Sequence, residues 1–397
     1  MINKAHRIPC MIIRGGTSKG LYFLERDLPA DAAQRDELLL NIMGSPDVKQ
    51  INGLGGAASV TSKVAVVGVS SRPDADVDYT FCQVSVDKPL VSTKGNCGNI
   101  SSGVGPFAIE KGLVKVTEPV TQVRVFNTNT NKLIVEEVAC ENGSVKYDGD
   151  FAIAGVPGTA SPIKLKFVRP AGTLKTRPAE GTDLLPTGNA VDTLNVPGFG
   201  PVEVSIVDAA NPLVFVKASD LGLTGKELPS ELDNAPEKLE LLEKVRGMAA
   251  VRLGLCDDYT RSAWETPGIP KMTFVAPAAD YTTVTGQEIS ADKIDLLSRM
   301  MSMQKTHPTY AMTGAMCTAA AAIVPGSVVQ QVLRPDVDTQ FIRIAHPGGI
   351  LEAGVDYTVR EDGSVDVEDT FGFRTANLLA EGTALKIDSA SLAVEQT

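Results

Sequence analysis

The chain has 397 residues, of which 43% are apolar and 21% charged, and its formal net charge is −11. That length calls for about two domains, and that composition belongs to an ordinary soluble globular protein. The acidic balance, with no long Lys/Arg run, argues against nucleic acid as partner but leaves room for a small anion held by local amides and one or two lysines.

In chain order, residues 7–24 read as strand, turn and strand, with Arg14-Gly15-Gly16-Thr17-Ser18-Lys19-Gly20 as the turn. The phosphate-loop spacing is absent and a second strand follows, so a hairpin whose amides and hydroxyls face a carboxylate fits better than a nucleotide loop. Asp31 to Met43 has an apolar helical side and stops at Gly44-Ser45-Pro46. A loop of small residues, 51–58, leads into a strand read over 59–68, where Lys63 is the only charge. Such a lysine either snorkels at an edge or is partly desolvated for acid/base chemistry. Asp74-Ala75-Asp76-Val77-Asp78 lacks the Gly and distal Glu of a calcium loop and reads as a charged turn before a strand over 79–86.

The chain is organised around Gly95-Asn96-Cys97-Gly98-Asn99-Ile100-Ser101-Ser102-Gly103-Val104-Gly105, which ends a β-rich run and opens a helix. A thiol at a helix N-terminus meets the positive end of the dipole, and the free amides there can hold a carboxylate. Strands follow at 121–126 and 132–139, joined by an Asn/Thr hairpin connection, 127–131. Residues 155–188 are rich in Pro, Gly and Thr and read as a long connection between two domains. Beyond it come strands at 202–207 and 213–216, a helix at 238–253, a strand at 271–276 and a helix at 290–303. A buried Ala-rich helix opens at Ala311–Ala322, strands resume at 341–344 and 356–367, and residues 384–388 close the chain.

The two halves echo one another. Ser62-Lys63-Val64-Ala65 is answered by Pro270-Lys271-Met272-Thr273, and Cys97 after the first lysine is answered by Cys317 after the second. This order predicts two similar domains, each a curled antiparallel sheet around a central helix, with both Cys-bearing helix starts facing one cleft suited to a di- or tricarboxylate.

The six cysteines (Cys10, Cys82, Cys97, Cys140, Cys256, Cys317) have no CxxC spacing, and there are three histidines, His6, His307 and His346. Disulfides, a Cys-type zinc site and Ser-His-Asp machinery are therefore not expected. Met1 to Cys10 shows no apolar leader and no stretch approaches the ~20 apolar residues of a membrane span, so the expected location is cytoplasmic. A thiol and an ammonium tuned toward neutrality can take a proton from carbon beside a carboxylate and return one. Return to the same carbon gives epimerisation; return two atoms along an allyl system moves a double bond. A Cys nucleophile in acyl transfer would instead need His307 or His346 to reach Cys97.

The turns quoted above, with Gly44-Ser45-Pro46-Asp47, Thr61-Ser62-Lys63, Asp76-Val77-Asp78-Tyr79, Pro186-Thr187-Gly188-Asn189, Pro270-Lys271 and His346-Pro347-Gly348-Gly349, resemble the PrpF family over nearly the whole length. That family belongs to the diaminopimelate-epimerase-like superfamily. The resemblance implies an α+β fold of two β-barrel-like domains, each around a central helix, with the active site between them. The division expected is 1–184 and 185–379, with strand 380–397 as a candidate to complete the first domain. It implies a cofactor-independent, metal-free isomerase of branched unsaturated di- or tricarboxylates. Its members include 3-methylitaconate Δ-isomerases, 2-methylaconitate cis-trans isomerases and 4-oxalomesaconate isomerases. Val104-Gly105-Pro106-Phe107-Ala108-Ile109 and Asn127-Thr128-Asn129-Thr130 lie nearest the methylitaconate branch.

By the same resemblance Lys63 and Cys97 are the catalytic pair. Thr17, Ser18, Asn96, Gly98 and Asn99 would hold one carboxylate, with Met303, His307 and Gly314 opposite, and Ser62 is a further substrate-binding residue. Cys317 is assigned to packing. Gly348 stands where many relatives read Ser, which points to a dicarboxylate. Readings from other classes are an amino-acid epimerase or racemase, which would want a second catalytic Cys, and a non-catalytic carboxylate-binding accessory protein. A homo-oligomer is compatible with all of these.

Overall fold

β-branched and aromatic residues set the strands, and Gly- and Asn-rich turns set their connections. The computed structural model describes residues 6–386 and joins them into a 19-stranded sheet with a separate two-stranded ribbon. Its long strands fall into two runs. The first contains β1 (His6–Gly15), β2 (Ser18–Leu24), β3 (Lys63–Val69), β4 (Val77–Val84), β5 (Val120–Asn127), β6 (Lys132–Glu141) and β7 (Ile163–Val168). The second contains β8 (Asp192–Val196), β9 (Gly200–Ala209), β10 (Asn211–Lys217), β11 (Lys271–Pro277), β12 (Leu296–Ser302), β13 (Phe341–His346), β14 (Gly349–Val359) and β15 (Val365–Arg374), after which β16 (Ala376–Lys386) returns to β1.

The pairing repeats strand for strand. From β16 the ladder runs antiparallel to β1 and β2, parallel to β3, antiparallel to β4, parallel to β5, then antiparallel to β6 and β7. From β8 it runs antiparallel to β9 and β10, parallel to β11, antiparallel to β12, parallel to β13, then antiparallel to β14 and β15. The β15–β7 pairing joins the two ladders. Even an ion pair is duplicated. Arg124 donates from its backbone N (2.7 Å), Nε (3.2 Å) and Nη2 (2.7 Å) to Asp76, and Arg343 donates from the same three atoms to Asp295 at 2.7, 3.1 and 2.7 Å. This is what the acidic turn at 74–78 is for: it braces the start of β4 against β5.

Helices fill the same places in each run. Between β2 and β3 lies α1 (Ala32–Met43), capped by Asp31 Oδ1, which accepts the Gln34 N–H at 2.9 Å, and ended by Gly44 in the left-handed region at φ 77°. Between β4 and β5 lie α2 (Gly98–Ser101) and α3 (Val104–Glu110). Between β10 and β11 lies α4 (Pro236–Arg252), and between β12 and β13 lies α5 (Met312–Ala322). Helices α2, α3 and α5 contribute to one apolar core, while α1 and α4 cover separate outer cores.

Several expectations are corrected. Residues 290–303 are not a helix: a short 3-10 turn precedes β12, in which Leu296 to Met301 are all buried between β11 and β13. A strand buried on both faces shows no alternation, so periodicity cannot separate it from a buried helix. The stretch 155–188 is not all connection, for Ile163-Lys164-Leu165-Lys166-Phe167-Val168 alternates and forms β7. The strand read at 356–367 is two strands with a turn at Gly363, φ 82°. The strand read from residue 59 begins at Lys63, so Ser59 and Thr61 share no strand face with it. The closing segment forms β16 up to Lys386; residues 387–397 lie outside the described residues.

Candidate active site

The β1–β2 turn, the start of β3 and the start of α2 meet at backbone contact, which small residues permit. A Cβ on Gly15 would stand 2.2 Å from the Asn99 carbonyl oxygen, and one on Gly20 would stand 2.7 Å from the Lys63 oxygen and 3.1 Å from Ile100 Cδ1. Lys63 is therefore fixed beneath α2. Its Nζ donates to Gln83 Oε1 at 2.6 Å and lies 5.0 Å from the Phe81 ring centroid. Gln83 is held in turn by donating Nε2 to the Ser62 carbonyl at 2.9 Å and the Ser59 carbonyl at 3.1 Å. Among the described residues no carboxylate forms an ion pair with Lys63.

Cys97 precedes α2 in extended backbone, and its carbonyl accepts the Ser101 N–H at 2.8 Å, the first hydrogen bond of the helix. Its own N–H donates to Asn96 Oδ1 at 2.7 Å. Cys97 and Lys63 keep 9% and 7% of their surface, so both lie under the surface rather than on it. Ser18 is buried with its Oγ unpaired. Asn99 braces the turn instead of pointing free: its Nδ2 donates to Thr17 Oγ1 at 3.0 Å and its Oδ1 accepts Arg374 Nε at 3.0 Å. The Ser62 Oγ accepts the Gln50 Nε2 N–H at 2.7 Å, which gives it a structural hold on the β3 start.

The second run packs against these turns. A Cβ on Gly98 would lie 2.8 Å from Met312 Cβ and 3.3 Å from Thr313 Cγ2, so the starts of α2 and α5 abut. Gly314 sits in the first turn of α5, packed on Met300. His307 is buried, and its Nδ1 accepts the Thr309 N–H at 3.1 Å, which leaves its proton on Nε2. Burial, then the charges of Lys271 and Lys63, pull its pKa down to about 3, so it is a neutral donor. Met303 occupies a hairpin tip with φ 52°, and among the described residues no side-chain hydrogen bond joins it to Lys63 or Cys97. Thr17 and Thr309, linked at 3.0 Å between hydroxyls, line a cleft of about 730 Å³ with residues 153–157 and Gly348.

Cys317 does not mirror Cys97. It lies in the second turn of α5, fully buried, with its thiol donating to the Val207 carbonyl at 3.3 Å, and burial pushes its pKa up. The residue that precedes α5 as Cys97 precedes α2 is Ala311. Cys317→Ser is therefore expected to keep kcat within about twofold while losing ~1 kcal/mol of stability, read by progress curves and thermal melts. A two-thiol mechanism would lose activity instead.

Four residues without a local signal come near these turns through strand pairing: Gln83 beside Lys63, Arg374 beside Asn99, Asn211 beside Gly95, and Lys271, which the sequence shows as an echo of Lys63. Lys271 is partly accessible, yet burial first and then the Lys63 charge pull its pKa down to about 8. Burial pulls Arg374 down to about 9. Among the described residues no group of three or more His, Cys, Asp or Glu is arranged to hold a metal ion, and no helix is long and apolar enough to cross a membrane.

Residues 5–386 match the family described as PrpF protein. The chain is 46% identical to the 3-methylitaconate isomerase of Eubacterium barkeri over 95% of this chain and 96% of that protein. A crystal structure of methylitaconate-delta-isomerase superposes with a TM-score of 0.77 at 44% identity, covering 99% of this chain and 98% of that one. A hydroxyproline epimerase from Agrobacterium vitis superposes with a TM-score of 0.57 at 13% identity, covering 98% and 95%, a likeness of fold alone.

Proposed function

This chain belongs to the PrpF family, and from that premise we propose that it is an isomerase of a branched unsaturated dicarboxylate, converting 3-methylitaconate to dimethylmaleate. The likeness over nearly the full length to a 3-methylitaconate isomerase carries the substrate. The α+β fold is the one shared with epimerases that move protons on carbon. The two strand runs are read as two units, with the site where their helix starts abut and with β16 completing the first.

The reaction is a 1,3-proton shift. The C–H beside one carboxylate is acidic only if its carbanion is stabilised, and here the charge spreads into that carboxylate and along the allyl system. Lys63 and Cys97 are the pair that exchanges protons: one takes the proton, and the other delivers one to the former methylene carbon, which becomes a methyl group. No atoms are gained or lost. Ser18 Oγ, buried and unpaired, and the Asn96–Asn99 turn supply hydrogen bonds to the carboxylate where charge builds. His307, a neutral donor, faces the same lysines.

Proton NMR in D2O tests this reading. With 3-methylitaconate the vinylidene signals should decay while a deuterium-bearing methyl group grows. Turnover of 2-methylaconitate alone, in a parallel tube, would reassign the substrate to a tricarboxylate. Binding of dicarboxylates without any exchange of C–H would leave only a carboxylate-binding protein.

A further inference from the structure

The Lys63 half of the site has a counterpart that the proton shift leaves idle. Lys63 opens β3 opposite Gly20, and Lys271 opens β11 opposite Leu213, each in a parallel pair. Two residues back on the neighbouring strand, on the same face, stand Ser18 in the first run and Asn211 in the second. Both are buried, and both carry side-chain atoms without a hydrogen-bond partner: Ser18 Oγ, and both Oδ1 and Nδ2 of Asn211. A buried amide left unpaired on both atoms is costly unless a ligand completes it.

Asn211 lies beside the reacting thiol's loop. Its Oδ1 is 3.3 Å from where a Cβ on Gly95 would stand, and the Ile269 side chain is 3.5 Å from the same point. The strand that begins with Lys271 therefore arrives next to the 95–97 turn. Thr313 Oγ1, buried and unpaired, lies one residue beyond the Met312 contact with Gly98. The titratable groups facing Lys271 are Lys63, Cys97 and Arg246, with neutral His307 alongside. Arg246 is engaged with Glu243, and among the described residues no carboxylate pairs with either lysine. Two lysines that face each other without a carboxylate partner suit a ligand with two negative charges. Ala311 stands where a second thiol would, so this half can bind but cannot exchange a proton through sulfur.

We propose that Lys271 and Asn211 form the second carboxylate half-site, holding the carboxylate on the vinyl carbon across from Lys63 and Cys97. The enzyme is thereby selective for dianions over monoanions. The assignment rests on the isomerase reading above for its turnover test, but not for its binding test.

Lys271→Met should raise KM for 3-methylitaconate about 100-fold with kcat changed less than about fivefold, because the lost interaction is made in ground state and transition state alike. Lys271→Arg should restore most of the affinity. Against the substrate esterified at the vinyl carboxylate, the Met variant should differ from wild type by less than about threefold. Asn211→Ala should move KM about tenfold the same way, which keeps the test valid if the Met variant folds poorly. Equal losses on diacid and monoester, or a fall in kcat at constant KM, would overturn the assignment. Calorimetric titration of dimethylmaleate and its monomethyl ester needs no turnover. A wild type that binds the diacid but turns over none of these compounds would sink the isomerase reading, and the diacid preference, present in wild type and absent in Lys271→Met, would still decide the half-site.

Discussion

Lys63→Met should lower kcat for 3-methylitaconate by about 10³-fold, the size expected when a positioned acid/base group is removed. Methionine keeps the length of the side chain and its packing against Phe81, so folding should survive, and unchanged circular dichroism and melting temperature would show it. The informative partner is Lys63→Arg. Arginine keeps the positive charge, and with it an attraction for the dicarboxylate, but it does not give up a proton in this pH range. A merely electrostatic Lys63 would be rescued by arginine. A proton-transferring Lys63 would not, and KM near wild type with kcat still depressed by about 10³ is the expected result. The Gln83 contact at 2.6 Å explains the demand for lysine in particular, since a forked guanidinium cannot reproduce that single short hydrogen bond.

Cys97→Ser should be as damaging, again about 10³-fold in kcat, although the change is one atom. The backbone of residue 97 would still start α2 and still donate to Asn96, so the site keeps its shape. What disappears is acidity, because a hydroxyl gives up its proton far less readily than a thiol. The two variants also separate the steps. In D2O, the variant lacking only the proton-returning group should still wash deuterium into the C–H beside the carboxylate without moving the double bond. The variant lacking the base should show no washout at all. If both variants isomerise at the wild-type rate, Lys63 and Cys97 are not the pair. The double variant should be little worse than either single one, since the groups act as a unit.

The parts of the site that the sequence made legible are those built by local chemistry. The Gly- and Asn-rich turn around Cys97 marks the helix start there, and Asp31 with Gly44 brackets α1. Gly15 and Gly16 mark a tight turn for the same reason. Cys317 shows the limit. Its position after a second lysine invited comparison with Cys97, yet the helix begins at Met312 and turns the thiol into the core toward Val207. The sequence places the start of this helix to within one residue, at Ala311 against Met312; what it does not carry is which way a thiol more than a turn further in faces. The misread of 290–303 has a related cause: β12 is covered on both faces, and burial erases the alternation that identifies a strand.

What the sequence determined by itself, then, is the pair of chemistry-bearing turns, the hairpins and the resemblance that names a reaction class, because each depends on residues within one turn or one strand. What only the tertiary structure decided is who stands beside whom. Lys271 and Asn211 reach the Cys97 loop through the parallel β10–β11 crossover, and Arg374 reaches Asn99 across most of the chain. Such contacts are fixed by sheet register and by two helix starts abutting through a glycine, and a periodicity read along the chain holds no information about register between strands that far apart.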